Sequence, residues 1–244
     1  MSTYVFVHGA WHGAWCWSKV VSLLEGAGHK AIALDLPGHG RDDTPIAQVT
    51  FEAYCNKVRE IVEAQQEPVI LVGHSMGGRV VTQVAELRPD RIKTLVYLAA
   101  ILLRHGENTM PADPDTGETL IDRSVVTSDD GLYQTLLEDA IRELLFHDCS
   151  DEDAIRAMAL LEARQASQPM TIPMRLTNEK FGRLRKVYIE CLQDKAVTPA
   201  QQRIMYGLTP CDKVISMNAS HSPFLSCPQE LADILVSISE YEFT

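Results

Sequence analysis

No run among the 244 residues reaches the roughly 18–20 uninterrupted apolar positions that a membrane-spanning helix needs, so no membrane span is expected. Basic residues are few: 22 Lys and Arg stand against 33 Asp and Glu, giving a net charge of −11, and no segment is dense in Lys or Arg. Nucleic acid and anionic membrane surfaces are therefore not expected partners. The six cysteines (Cys16, Cys55, Cys149, Cys191, Cys211, Cys227) include no CxxC and no framework spacing. Reduced, partly buried thiols in a cytoplasmic protein are expected, not a disulfide scaffold. No His/Cys/carboxylate cluster has ligand spacing, so no metal or cofactor is expected. Also missing are the Lys-Ser/Thr of a phosphate loop and the spacing of G-x-G-x-x-G. The opening MSTYVFVHGA has neither a basic stretch nor a long apolar one, and no secretory signal is expected.

What is present is core-forming. Apolar residues make up 45% and charged residues 23%, enough for one large domain or a core carrying an insertion. Six short β-rich apolar runs recur, at 4–8, 31–34, 69–73, 94–99, 187–191 and 214–217. Between them, helical periodicity marks 17–27, 51–64, 78–87 and the segment from 228 onward. Near-continuous apolar strands alternating with amphipathic helices predict an α/β fold: a six-stranded, mostly parallel sheet with helices on both faces. The alternation breaks between Arg104 and Arg185. A polar, proline-bearing loop is followed there by two helical stretches, 131–146 and 151–164, the second opening on a capping-box pattern from Ser150 to Asp153. Residues 104–185 are expected to form a mainly helical cap inserted into a core made of 1–103 and 186–244.

The run VILVGHSMGGRVV sets a serine between Gly73 and Gly77, where a strand gives way to a helix. Such a reversal strains the residue at its apex, and a Cβ two positions to either side would collide across the turn. This is the G-x-S-x-G nucleophile elbow. A serine hydroxyl needs a base, and in this architecture the acid and then the histidine follow on loops after later strands. Asp194 lies just beyond 187–191 and His221 just beyond 214–217, in the required order. Backbone N–H groups must also face the developing oxyanion. Met76 follows the serine, and Ala10 follows the tight His8-Gly9 turn. Asp35, His8 and His39 are expected to order their own turns, and His74 to pack beneath the elbow.

The stretches FVHGAWHGAWCW, LLEGAGHKAIALDLPGHG, VILVGHSMGG, CSDEDA, FGRLRKVYIECLQDK and NASHSPFL resemble the α/β-hydrolase superfamily. Within it, they resemble the group of plant salicylate-binding methylesterases, hydroxynitrile lyases and related bacterial esterases. The resemblance spans nearly the whole chain and is weakest at 106–132. It implies an α/β-hydrolase fold with a cap, a triad of Ser75, Asp194 and His221, and oxyanion donors at Ala10 and Met76. Lyases of this group carry threonine and lysine directly after the first and the catalytic histidines; here Gly9 and Ser222 stand there. The expected activity is cofactor-independent hydrolysis of small to medium, largely apolar carboxylic esters through an acyl-enzyme. Trp11, His12, Phe146 and Met174 are expected to line the substrate pocket. The alternatives are lyase or C–C bond chemistry on the same fold, and a small-molecule receptor with vestigial activity. The expected partners are the ester substrate and, at most, a second copy of the chain as a homodimer.

Overall fold

Each of the six apolar runs becomes a strand; the four inner ones are covered on both sides, while the last keeps alternate residues exposed. The computed structural model describes residues 1–240. The chain opens with β1 (Thr3–Val7), α1 (Ser18–Gly26), β2 (Lys30–Leu34), α2 (Phe51–Glu63), β3 (Val69–His74), α3 (Gly77–Leu87) and β4 (Ile92–Leu98). The insertion follows: α4 (Leu120–Ser124), β5 (Val125–Thr127), β6 (Tyr133–Leu136), α5 (Glu138–Leu145), α6 (Asp151–Leu160), β7 (Gln165–Ala166) and α7 (Gln168–Thr171). The core then resumes with β8 (Lys186–Cys191), α8 (Pro199–Leu208), β9 (Lys213–Met217), α9 (Pro223–Ser226) and α10 (Pro228–Glu240).

The main sheet has the order β2-β1-β3-β4-β8-β9, and every neighbouring pair is parallel. Alternate strand residues serve opposite faces. Tyr4, Phe6, Val72, Val96 and Ile189 pack with Leu24 of α1 and with Leu231 and Leu235 of α10. Val5, Val7, Leu71, Tyr97 and Tyr188 pack with Val58 of α2, Val80 and Val84 of α3, and Met205 of α8. The connection leaving β1 therefore runs to one face and that leaving β3 to the other. Neighbouring strands whose connections diverge leave a crevice at their carboxyl ends, the switch point where α/β proteins place their chemistry.

Residues 131–146 do not form one helix as expected. β6 occupies the first part, because Tyr133 and Gln134 pair with Ala166 and Gln165 while Gln134, Thr135 and Leu136 pair with β5. Cross-strand pairing outweighs the local period there. The insertion thus carries a three-stranded antiparallel sheet, β5-β6-β7, beside its four helices. Only half of the capping box at α6 forms. Ser150 Oγ accepts the Asp153 N–H at 3.2 Å, while the Asp153 carboxylate turns to Lys19 at 2.7 Å and to the Ser150 hydroxyl.

One face of α3 fastens the returning end of the insertion. Arg79, Gln83 and Glu86 share that face by helical spacing. Arg79 donates to the carbonyls of Asn108 (2.6 Å) and Ile172 (2.7 Å), and Gln83 exchanges two bonds with the backbone of Arg175. Glu86 accepts from the Thr177 N–H and hydroxyl and from the Phe181 N–H.

Candidate active site

Ser75 stands at the apex of the turn from β3 into α3 with φ +51°, a left-handed value strained for any residue bearing a Cβ. The surroundings hold it there. Its carbonyl accepts from the N–H groups of Gly78 and Ile101, both at 3.0 Å, and its own N–H donates to Leu98 O at 3.3 Å. The flanking glycines are required by contact: a Cβ on Gly73 would lie 2.7 Å from Val81 Cγ2, and one on Gly77 would lie 2.6 Å from Val7 O. Across the crevice, a Cβ on Gly9 would lie 2.8 Å from Ser75 Cβ, so its absence lets the loop after β1 approach the serine.

His221 Nδ1–H donates to Asp194 Oδ2 at 2.7 Å, with both side chains buried. Asp194 Oδ1 accepts the N–H groups of Ala196 (2.8 Å) and Val197 (3.0 Å), which fixes the carboxylate at the end of β8. That tautomer leaves the other ring nitrogen as a proton acceptor. The His221 loop is tied from three sides. His74, adjacent to Ser75, donates Nε2–H to His221 O at 2.9 Å, with ring centroids 4.5 Å apart. Gln193 N–H donates to Ala219 O at 3.0 Å. Asp148, in the insertion, accepts the Ser220 N–H at 2.8 Å and the Ser220 hydroxyl as well. Burial, then repulsion from His221, holds the His74 pKa well below the usual histidine range, so it stays neutral beside the candidate base.

A cavity of about 360 Å³ opens at this edge, lined by Ser75, Ala10 and Met76 together with Trp11, Ile101, Met110, Met170 and Val197. Met76 caps the amino end of α3, where the helix dipole favours developing negative charge. Asp122, whose carboxylate caps α4 by accepting the Thr119 N–H at 2.8 Å, is a residue of the same wall.

Of the four residues expected to line the pocket, Trp11 is on the cavity wall. The other three lie elsewhere and their placement is corrected. His12 is buried under the loop after β1, donating Nδ1–H to Ala10 O at 2.8 Å and packing against Trp15, His74, Phe146 and Phe224. Phe146 is fully buried in the core on the α1/α10 face. Met174 is buried too, and its backbone exchanges bonds with Gly106 and Glu107. Among the described residues, no group of three or more His, Cys, Asp or Glu is placed to hold a metal ion.

Two residues at this site were not picked out from sequence. Gln202 of α8 donates to the carbonyls of Cys191 (3.2 Å) and Val197 (2.7 Å) and reaches Asp194 Oδ2 at 3.4 Å. Asp148 is the other, and no local pattern announces a partner 72 positions away.

The family model described as the alpha/beta hydrolase family matches residues 4–234. The chain belongs to the alpha/beta hydrolase family. Within it, the chain is 32% identical to esterase PIR7B of Oryza sativa subsp. japonica over 260 residues, covering 98% of this chain and 96% of that one. A pyrethroid hydrolase from Sphingobium faniae JZ-2 has a similar structure, with TM-score 0.89 and 29% identity over 98% of this chain and 99% of that one. The chain is also 32% identical to the Arabidopsis thaliana protein named "Putative methylesterase 11, chloroplastic", matching over 97% of its own length and spanning 63% of that relative's.

Proposed function

We propose that this hydrolase is a cofactor-independent serine carboxylesterase acting on small to medium, uncharged, largely apolar esters. The observation that carries this reading is the setting of Ser75. It is strained at the elbow, shares its cavity with Ala10 and Met76, and is tied through His74 to the His221–Asp194 pair. The names of two proteins matched over nearly their whole length, an esterase and a pyrethroid hydrolase, support the same reaction class. In this mechanism His221 takes the Ser75 proton as Oγ attacks the ester carbonyl, and Asp194 holds the ring and stabilises the imidazolium. The N–H groups of Ala10 and Met76 receive the oxyanion, each contributing about 3–4 kcal/mol. The protonated His221 gives its proton to the leaving alcohol. Water, deprotonated by His221, then releases the acid and restores Ser75.

We take residues 104–185 as the cap that shapes the substrate cavity and the rest as the catalytic core. The cavity wall, mostly apolar with Met76, Ile101, Met110, Met170 and Val197, favours largely apolar esters. All six cysteines are free, and we place the protein in the reducing cytoplasm. Among the described residues no helix is long and apolar enough to cross a membrane. No observation favours the lyase or the receptor reading. Ser222, where the lyases carry lysine, is fully buried and its hydroxyl has no partner.

A panel of p-nitrophenyl and methyl esters, run beside mandelonitrile, tests the assignment. Ester turnover with kcat on the order of 1–1,000 per second and no cyanide release is the expected result. Tight binding of panel members without any hydrolysis would overturn it.

Asp148 gives a second expected outcome. Because it holds the residue preceding the base, Asp148→Ala should lower kcat by about ten- to a hundredfold with KM nearly unchanged. Asp148→Asn keeps an acceptor for the Ser220 N–H and should recover most of the loss. If Asp148→Ala lowers the melting temperature but leaves kcat at the wild-type value, Asp148 supports only the fold.

A further inference from the structure

A second cavity, about 440 Å³, lies in the insertion and is lined by Leu136, Ile141, Met158 and Leu161, with Glu138 and Glu162 also on its wall. It meets the catalytic cavity at one shared residue, Trp11. Strand β6 runs along the boundary, supplying Gln134 to the catalytic side and Leu136 to the other. The indole Nε1–H donates to Gln134 O at 3.2 Å, which lays the ring against that strand.

The backbone at this partition is unusual. Trp11 has φ +59°, a genuine outlier for a bulky residue. Two bonds from the insertion hold it there. Its carbonyl accepts the Glu162 N–H at 2.7 Å, and its N–H donates to Gln165 Oε1 at 3.3 Å. Strain of this kind persists only where the surroundings over-determine it, and it collects at functional sites. The held backbone belongs to the residue after Ala10, so the partition and the candidate oxyanion donor are one rigid piece. The indole, buried and held by one side-chain hydrogen bond, is the wall that the two cavities share.

We propose that the second cavity is a distal subsite for esters too long for the catalytic cavity, with the Trp11 indole at the junction between them. Its occupant is the uncharged apolar end of a long acyl chain, since the lining is aliphatic and thioether and the two glutamates repel an anionic terminus. This deepens the esterase reading and rests on it.

The test uses Ala159→Trp, which places bulk in the second cavity from an exposed position of α6, and Trp11→Ala, which opens the junction. For p-nitrophenyl esters from acetate to decanoate, Ala159→Trp should lower the decanoate-to-acetate ratio of kcat/KM by about tenfold, and Trp11→Ala should raise it by a similar factor. Calorimetric binding of a long-chain methyl ketone, which cannot be hydrolysed, should weaken about tenfold in Ala159→Trp. A decanoate ratio and a ketone affinity both unchanged by Ala159→Trp overturn the subsite. Absence of ester turnover in the wild type, with the ketone still bound and still weakened by Ala159→Trp, overturns the esterase reading and leaves the subsite standing.

Discussion

Replacing Ser75 with alanine is expected to reduce kcat for ester hydrolysis by roughly five to six orders of magnitude, with substrate affinity nearly intact. The loss is this large because, in the proposed mechanism, attack, proton transfer and acyl transfer all pass through one oxygen, while Ala10, Met76 and the cavity wall remain in place. The strain at Ser75 makes a paired prediction possible. Alanine has a Cβ and keeps the cost of φ +51°, whereas glycine relieves it. Ser75→Gly should therefore be as inactive as Ser75→Ala yet more stable than it by about 1 kcal/mol, read from chemical denaturation. Labelling of the wild type by a fluorophosphonate probe, and its absence in both variants, locates the nucleophile independently of substrate choice. Esterase activity in Ser75→Ala near the wild-type level would remove the serine from the mechanism.

The sheet and the positions of the loops carrying Ser75, Asp194 and His221 were legible for the same reason. The inner strands, buried on both faces, must be apolar throughout and stood out, the two edge strands kept enough apolar residues to be seen, and loops at their carboxyl ends have few places to lie. Val187 to Cys191 announced where Asp194 would sit, and Val214 to Met217 did the same for His221. The insertion was harder because its strands are two to four residues long and take their pairing from partners distant in the chain. At Tyr133 to Leu136 the helical period was read correctly but overruled. Helix α8 went unread although Thr198, Pro199 and Gln201 form a capping box with proline at the first turn, a signal that was available. His12, Phe146 and Met174 failed for another reason. Composition says that such residues will be near apolar surface, but only the packing decides which surface is the cavity and which is the core.

Lowering the pH from about 7 to 5 is expected to destabilise the folded protein by several kcal/mol through histidines that take no part in the reaction. Four of them, His8, His12, His39 and His74, are buried. Burial is the largest cause in each case, pushing His12 down to about 3 and His39 to about 4, with His8 and His74 well below the usual value. Their bonds agree with neutral rings: His8 Nδ1–H donates to Gly9 O at 2.8 Å while its Nε2 accepts the Leu36 N–H at 3.1 Å. Above about pH 6.5 these histidines are neutral in both folded and unfolded chains and add no pH dependence. Below it, the unfolded chain takes up protons that the folded chain refuses, so stability falls as pH falls. His12 and His39 alone cost about 2 kcal/mol each at pH 5, and His8 and His74 act in the same direction. Against a total of about 5–15 kcal/mol, that is a large share, and the melting temperature should drop by about 8–16 °C between pH 7 and 5. A melting temperature flat across that range would show that these rings protonate while folded. Where the drop occurs, the acid limb of an activity profile reports unfolding as well as any change in the chemistry itself. Only turnover measured beside a melt at each pH separates the two.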